Sequence, residues 1–239
     1  MIFSIKRASG VIVVSEYVKH TIKHLIGGDK IFVIHNGVDT GFFNPSKRNL
    51  EYLEKKYKID LSKPLITFIG ELIRRKRPEI IVELARRNKD KTFIIIGRLN
   101  RQLNFKRLIK DTNNIIWISI MKRKDVACLL ASSDIFVLPS LYEGFGMVVV
   151  EAMASGCPVI VTDHGAMSEL VIDGVDGFKI KRVPNEIEAF SELINDLLKN
   201  EELKKKIITN ALKKAQENFN WERLTLQWKK VLNTINSTK

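Results

Sequence analysis

The chain has 239 residues, of which 45% are hydrophobic and 28% are charged, and this composition is typical of a globular protein that buries a substantial core. It contains no uninterrupted apolar run of about 18 residues, the length that would indicate a membrane-spanning helix. Lys6 and Arg7 follow the short apolar start, which is the wrong order for a signal peptide. We therefore expect a cytoplasmic protein, with peripheral contact at the inner face of the membrane as an open alternative.

Charge and cysteine content limit the ligands that the chain can be expected to bind. The formal net charge is +13, and residues 46 to 130 hold 22 Lys and Arg residues against 9 Asp and Glu residues. Such a basic surface suits a phosphorylated ligand, an anionic membrane or a nucleic acid. No nucleic-acid motif is present, so we expect no nucleic-acid partner and treat most of these lysines as solvated surface. Cys128 and Cys157 have no metal-ligand spacing and are predicted to be core residues.

The first 45 residues read as two strands around one helix. A strand over 11–14 leads to Ser15, which is predicted to cap a helix over 16–26 that Gly27 and Gly28 end. A second strand over 31–34 runs into a turn at Asn36-Gly37, where we expect unusual backbone angles.

A charged helix over 49–57 follows, and strands and helices then alternate. Strands are predicted at 65–69, 92–96, 114–118, 135–138, 157–161 and 177–180, with helices at 78–88, 102–110, 124–132, 147–155 and 166–172 between them. Three helices are predicted at the end, at 185–199, 201–218 and 221–235. This order is typical of an α/β fold with a doubly wound parallel sheet, here with additional C-terminal helices.

A strand, a glycine turn and a helix follow one another without slack between residues 134 and 155. Pro139 ends the strand because it has no N–H to donate to a sheet. Gly144 and Gly146 flank Phe145 just before the helix that starts near Met147, so the backbone can approach a ligand closely. The free N–H groups of the first helical turn make this a predicted anion site.

Two carboxylates, Glu143 and Glu151, frame this turn. Glu151 follows four apolar residues, and a buried carboxylate there would lose solvation unless a partner such as a sugar diol satisfied it. The alternative is that Glu143 caps the helix and Glu151 lies on an exposed face near the helix N-terminus. Spacing alone leaves both interpretations open.

The complete string is more specific than its parts. Glu143-Gly-Phe-Gly-Met-Val-Val-Val-Glu151, preceded by Pro139-Ser-Leu-Tyr and followed by Ala-Met-Ala-Ser-Gly-Cys-Pro-Val, resembles the Glu-x7-Glu motif of retaining GT-B glycosyltransferases of family 4. Further blocks resemble that family in its usual order: Ser15-Glu-Tyr-Val, Asn36-Gly-Val-Asp39, Gly70 to Lys76, Ala131-Ser-Ser-Asp134 and Gly165 to Gly177. The resemblance covers nearly the whole chain and implies the Rossmann-like C-terminal domain of such an enzyme.

The resemblance also implies roles for the residues of the motif. Glu143 would hold the donor sugar and Glu151 the ribose hydroxyls of a nucleotide-diphosphate-sugar. Lys76 and the backbone of Gly144, Phe145, Gly146 and Met147 would bind the diphosphate. Glu143 and Lys76 would be the catalytic residues, and the reaction would need neither a metal nor a cofactor.

A basic loop, Gly70-Glu-Leu-Ile-Arg-Arg-Lys-Arg-Pro78, follows the predicted strand at 65–69. It could be a solvated turn or could bind an anion at the carboxyl edge of the sheet. In the related family an Arg directly follows the Gly and a Lys comes five residues later. Lys76 matches the Lys, but Glu71 occupies the Arg position, and Arg74, Arg75 or Arg77 would have to compensate.

The domain organisation implied by the resemblance is incomplete. Residues 1–45 resemble only the end of the family's N-terminal domain, 46–218 the nucleotide-sugar-binding domain, and 219–239 the terminal crossing helix. We therefore expect either a separate N-terminal half or a homodimer to cover the apolar faces of 11–14 and 31–34, with Trp221, Leu224 and Trp228. The expected function is hexosyl transfer, and the alternative is an inactive nucleotide-sugar-binding module or truncated enzyme.

Overall fold

The computed structural model describes Ile5 and residues 7–60, 62–100 and 104–237. Its strands are β1 (Val11–Val13), β2 (Ile31–Val33), β3 (Leu65–Ile69), β4 (Thr92–Ile96), β5 (Ile115–Ile118), β6 (Ile135–Leu138), β7 (Val159–Thr162) and β8 (Phe178–Ile180). Its helices are α1 (Glu16–Ile26), α2 (Leu50–Tyr57), α3 (Pro78–Arg87), α4 (Phe105–Leu108), α5 (Arg123–Ser132), α6 (Met147–Ala154), α7 (Met167–Leu170), α8 (Glu186–Lys199), α9 (Glu201–Asn218) and α10 (Trp221–Ser237).

Strands β3 to β8 form one parallel sheet in the order β5-β4-β3-β6-β7-β8. The chain leaves β3 in one direction to form β4 and β5, and then returns to the other side of β3 to form β6. The predicted doubly wound α/β fold is confirmed. The reversal of strand order between β3 and β6 creates a crevice at their carboxyl ends, which is where ligands bind in open α/β sheets.

The central strands are apolar throughout because helices cover both faces of the sheet. Every residue of β4, β6 and β7 is buried, as the continuous runs of Val, Ile and Phe predict for a parallel sheet. Helices α3 and α8 contact each other, and α6 contacts both α5 and α9. Cys128 and Cys157 are both buried, as expected.

Helix α5 is anchored through the buried carboxylate of Asp125. Tyr52, Lys56 and Tyr57 of α2 each donate a hydrogen bond of 2.7 Å to this carboxylate. Although burial opposes ionisation, these donors hold the pKa of Asp125 down at about 2. The network therefore joins the first turn of α5 to α2.

Strands β1 and β2 form a separate two-stranded parallel sheet beside α1. The predicted caps of α1 are confirmed, because the Ser15 side chain accepts a hydrogen bond from Val18 N and Gly27 has φ +81°. The expectation of unusual backbone angles at Asn36-Gly37 is wrong, since neither residue has a positive φ. Gly37 is needed for space instead: a Cβ there would lie 2.6 Å from the Trp221 ring.

Helix α10 returns to the first segment of the chain. A Cβ at Gly10 would lie 2.6 Å from Ile235 Cδ1, so the end of α10 packs on the start of β1. The prediction that the apolar faces of 11–14 and 31–34 lack cover is wrong, because Val13, Ile31 and Ile34 are buried and no residue of these two segments is exposed. It is also wrong for Leu224, which is only 1% exposed, whereas Trp221 is 52% exposed. No helix in the described ranges is both long and apolar enough to cross a membrane.

The helix predicted over 102–110 is shorter in the structure, where α4 covers Phe105–Leu108. Residues 101–103 lie outside the described part of the chain. The domain boundaries at 45/46 and 218/219 stay a prediction.

Candidate functional site

The loops after β3 and β6 lie side by side, because these strands are neighbours in the sheet. The backbone N–H of Leu141 donates to the carbonyl of Arg75 at 2.7 Å and fastens the two loops together. The basic loop and the turn that carries Glu143 thus meet at the crevice, although 67 residues separate Lys76 from Glu143.

Glu143 is the centre of a charged cluster. Its side chain is 9% exposed, and Lys76 Nζ donates to Oε1 at 2.5 Å while Arg75 donates to Oε2 at 3.2 Å. The alternative in which Glu143 caps the following helix is wrong, since Gly146 occupies the N-cap and no side chain caps that end of α6. The structure therefore brings together Glu143 and Lys76, the two residues that the sequence nominates for catalysis.

The four cations of the basic loop have different surroundings, so the loop is not simply a solvated turn. Arg75 also donates to the Tyr142 carbonyl at 2.9 Å. Arg77 is 8% exposed and donates to both carboxylate oxygens of Glu186 on α8. Arg74 is exposed and has no ion pair with any described residue. Arg75 is thus the additional cation at the site.

Glu71, which reverses the charge at the family's Arg position, is exposed and lines a cleft at the carboxyl ends of β3, β4 and β5. The Asn100 amide donates to its carboxylate at 3.5 Å, at the limit of hydrogen bonding. No cation in the described ranges forms an ion pair with it.

The glycine turn presents unused backbone donors. Gly146 has φ +97°, a left-handed conformation that favours glycine, and a Cβ there would also clash with the end of the Met167 side chain. Among the described residues, the N–H groups of Gly144 through Val148 find no acceptor. They lie at the N-terminus of α6, where the helix dipole and the free donors favour an anion.

Glu151 lies in the second turn of α6 and is partly buried. The alternative of a fully exposed Glu151 is therefore wrong. Burial raises the pKa of Glu151 to about 7, while the nearby charge of Arg123 acts in the opposite direction. Its carboxylate makes no hydrogen bond within the part of the chain that the structure describes, so it is available to a ligand with hydroxyl groups.

A cleft of about 530 Å³ lies at the carboxyl ends of β3, β4 and β5. Val126 lines it and lies one helical turn from Arg123, so the cleft and the surroundings of Glu151 share one face of α5. The sequence did not nominate most of the residues that line this cleft, including Gly97, Arg98, Ser119 and Met121. Gly97 and Arg98 directly follow the buried strand β4, and this position is the signal that could have identified them.

The described residues contain no group of three or more His, Cys, Asp or Glu side chains that could hold a metal ion. The positive charge at the site comes from Lys76, Arg75 and the N-terminus of α6.

Two family models match the chain. The model of glycosyl transferases group 1 matches residues 51–214, and that of glycosyltransferase family 4 matches residues 1–42. Among relatives, the chain is 33% identical over 228 residues to the uncharacterised glycosyltransferase MJ1178 of Methanocaldococcus jannaschii. This match covers 92% of this chain and 58% of the relative. It is 23% identical to alpha-maltose-1-phosphate synthase of Mycolicibacterium smegmatis, over 94% of this chain and 62% of that protein. The chain thus spans about three fifths of the length of these two curated relatives.

Solved structures have the same fold. A glycosyltransferase from Rickettsia africae superposes with a TM-score of 0.87 at 25% identity, over 100% of this chain and 67% of the other. Anabaena Alr3699/HepE, solved in complex with UDP and glucose, also has a TM-score of 0.87 at 25% identity, over 98% of this chain and 65% of the other.

Proposed function

Because the chain belongs to the family of glycosyl transferases group 1, we propose that it is the donor-binding part of a retaining GT-B glycosyltransferase that uses a nucleotide-diphosphate-sugar. The observation that carries the proposal is the set of free N–H groups from Gly144 to Val148 beside two cations, at the strand-order reversal. Such a combination of donors and positive charge suits a diphosphate. The Anabaena neighbour, solved with UDP and glucose, supports the same class of ligand.

In this proposal Lys76 and Arg75 change partners when the donor binds. In the free chain both cations neutralise Glu143. A diphosphate at the N-terminus of α6 would share these cations, which frees oxygens of Glu143 to accept hydrogen bonds from the sugar hydroxyls. Lys76 and the backbone donors of Phe145, Gly146 and Met147 then stabilise the charge that develops on the leaving diphosphate. No metal is required for this step.

The nucleoside would occupy the cleft beyond β3, β4 and β5, with its ribose at Glu151. An ionised carboxylate accepts hydrogen bonds from both hydroxyls of a diol, and Glu151 has no competing partner in the described residues. The cleft volume of about 530 Å³ is in the range of ligand pockets.

We propose that an N-terminal glycosyltransferase half provides the acceptor side of the reaction. Three large apolar side chains of α10 support a protein partner, because Leu226 is 67% exposed, Leu232 48% and Trp228 39%. A homodimer formed through the same surface is the competing arrangement.

Glu71 favours a second candidate function, a module that binds the donor but transfers no sugar. Its carboxylate faces the cleft without a neutralising cation in the described residues, and would weaken the electrostatic stabilisation of a leaving diphosphate.

Calorimetric titration of the chain with uridine, guanosine and adenosine diphosphates, and with the three nucleosides, tests the proposed function. We expect one diphosphate to bind, and Lys76→Ala to weaken it by about 10- to 100-fold because a charged hydrogen bond is lost. The corresponding nucleoside should lose far less. Lys89→Ala, an exposed lysine at the opposite edge of the sheet, is the matched control. Binding of none of the diphosphates, or equal losses for diphosphate and nucleoside in Lys76→Ala, would refute the assignment.

A further inference from the structure

The glycine turn of the site is contacted by a segment more than a hundred residues away in sequence. The hydroxyl of Ser15 donates to the carbonyl of Gly144 at 2.6 Å, across 129 residues. Ser15 is completely buried, and the same oxygen accepts the N–H of Val18 as the cap of α1. The hydroxyl therefore ties the N-terminus of α1 directly to the turn.

A second contact holds the side chain of the turn. The ring of His35 stacks on Phe145, with centroids 5.5 Å apart and planes inclined by 28°. Phe219 meets both rings edge-on, at 5.7 Å from each. We call His35, Phe145 and Phe219 the three-ring cluster. Phe145 and Phe219 are 4% and 3% exposed, so Phe145 has little freedom to move away from its neighbours.

The three-ring cluster also joins the segment that follows β2 to the residue that follows α9. The Val38 N–H, three residues after His35, donates to the Phe219 carbonyl at 2.7 Å. Burial lowers the pKa of His35, although Glu169 and Glu16 act in the opposite direction, and this favours the neutral ring that stacks on Phe145.

These contacts matter because the turn has two glycines and would otherwise be flexible. Glycine loses more conformational freedom than other residues when it is fixed. On one side of the turn, the Met167 side chain packs against Gly146. On the other side, the carbonyl of Gly144 and the ring of Phe145 are held by Ser15 and His35. Fixing both neighbours orients the N–H groups of Phe145 and Gly146, which have no described acceptor.

We propose that Ser15 and His35 are positioning residues of the diphosphate site, which hold the Gly144–Gly146 turn so that its backbone N–H groups point at the donor phosphates. This inference rests on the proposed function and extends it to residues that touch no part of the ligand. It assigns a role to the first segment of the chain in donor binding.

The test measures, by calorimetry with the full chain, the affinities of one nucleoside diphosphate and of the matching nucleoside. The diphosphate is the uridine, guanosine or adenosine form that binds the unaltered chain best. We expect His35→Ala and Ser15→Ala each to lower the affinity for the diphosphate by about 5-fold, because each variant loses one ring contact or one hydrogen bond. Nucleoside affinity should stay unchanged, because only the phosphates meet the turn. A merely structural role would not separate the two ligands.

Conservative variants keep the test informative if an alanine variant folds poorly. His35→Phe retains a stacking ring and Ser15→Thr retains the hydroxyl, so both should bind the diphosphate within about 2-fold of the unaltered chain. His24→Ala and Thr21→Ala, at exposed positions of α1, are the matched controls and should change neither ligand.

The outcomes separate this inference from the proposed function. If the unaltered chain binds a diphosphate but His35→Ala and Ser15→Ala bind it equally well, the positioning role is refuted and the donor site stands. If diphosphate and nucleoside weaken together in these variants, the residues are structural and the inference fails. If the unaltered chain binds no nucleoside diphosphate, both proposals fall.

Discussion

The carboxylate of Glu151 is destabilised by its own burial. Ionising this side chain in the folded chain is unfavourable, since burial raises its pKa from 4.5 to about 7. The unfolded chain therefore releases this proton at lower pH than the folded chain does. Between about pH 4.5 and 7 the folded state binds more protons, so the contribution of Glu151 to stability falls as pH rises through that window.

We expect Glu151→Gln to weaken nucleoside binding and to remove its pH dependence. The ionised carboxylate is the better acceptor for ribose hydroxyls, so the affinity of the unaltered chain should increase from pH 6 to pH 8 as the group ionises near pH 7. The substitution should reduce affinity at pH 8 by about 1 to 3 kcal/mol, the usual loss for a hydrogen bond to a charged group. Calorimetry with a nucleoside rather than a nucleotide avoids titration of the phosphate.

The same variant should not be less stable, and at pH 8 it should be more stable by up to about 3 kcal/mol, because each unit of pKa shift corresponds to about 1.4 kcal/mol. Denaturant unfolding at pH 4 and pH 8 measures this difference. Glu188→Gln, an exposed glutamate of α8, is the control and should change neither binding nor stability. Unaltered nucleoside affinity in Glu151→Gln would show that the carboxylate has no role in ribose binding.

Individual site residues were predictable to different degrees. Glu143, Glu151 and Lys76 could be nominated because they occupy a specific motif. The direct ion pairs of Glu143 with Lys76 and Arg75 could not be predicted, since they depend on β3 and β6 being neighbours in the sheet. Lys76 and Glu143 are 67 residues apart in sequence. For the same reason the sequence left Arg74, Arg75 and Arg77 as equal candidates, and only the packed loops distinguish them.

At the scale of elements, the cations of the loop between β3 and α3 have two kinds of partner, one at the candidate site and one in a helix of the fold. Arg75 and Lys76 face the site, while Arg77 links the start of α3 to the start of α8 through Glu186. Arg77 has φ +53°, a left-handed conformation that is uncommon for a residue with a side chain. The backbone turns sharply there, so the adjacent side chains of Lys76 and Arg77 pair with Glu143 and Glu186, respectively.

We expect Arg77→Ala to destabilise the fold by about 3 kcal/mol, because removing one member of a buried ion pair leaves the other charge without a partner. The measurement is denaturant unfolding at pH 7. Arg74→Ala removes an equal charge from the same loop at an exposed position and should stay within about 0.5 kcal/mol of the unaltered chain. Similar stability of the two variants would contradict the structural role of Arg77.

The elements themselves were largely predictable, because continuous apolar runs of four or five residues alternate with amphipathic helices along the chain. The buried strands β3, β4, β6 and β7 and the half-buried β5 could be identified from such runs. The reason for Gly37 could not, because the space it leaves is filled by Trp221, far away in sequence. Turn chemistry predicts backbone angles from neighbouring residues, whereas this glycine is required by a tertiary contact.

At the scale of the whole molecule, two distant segments converge on the candidate site from outside the six-stranded sheet. The first segment reaches the glycine turn through Ser15 and His35, and the Val38–Phe219 hydrogen bond ties it to the residue that precedes α10. Movement of either segment would therefore displace the glycine turn.

The 239-residue chain spans about three fifths of its curated relatives, and we expect it alone to bind the donor but not to transfer sugar. A GT-B reaction takes place in a cleft between two domains, and the model of glycosyltransferase family 4 matches residues 1–42 of this chain. The measurement is transfer from the best-binding nucleotide-sugar to a panel of acceptors, first with the chain alone and then with an added N-terminal glycosyltransferase half. We expect activity only in the second case.

Trp228→Ser should reduce this activity without affecting donor binding, since Trp228 lies on the partly exposed apolar surface of α10. Lys230→Ser on the same helix is the control and should not reduce it. Sedimentation analysis distinguishes a homodimer from the mixed complex, and efficient transfer by a monomer of this chain alone would disprove the need for a second half.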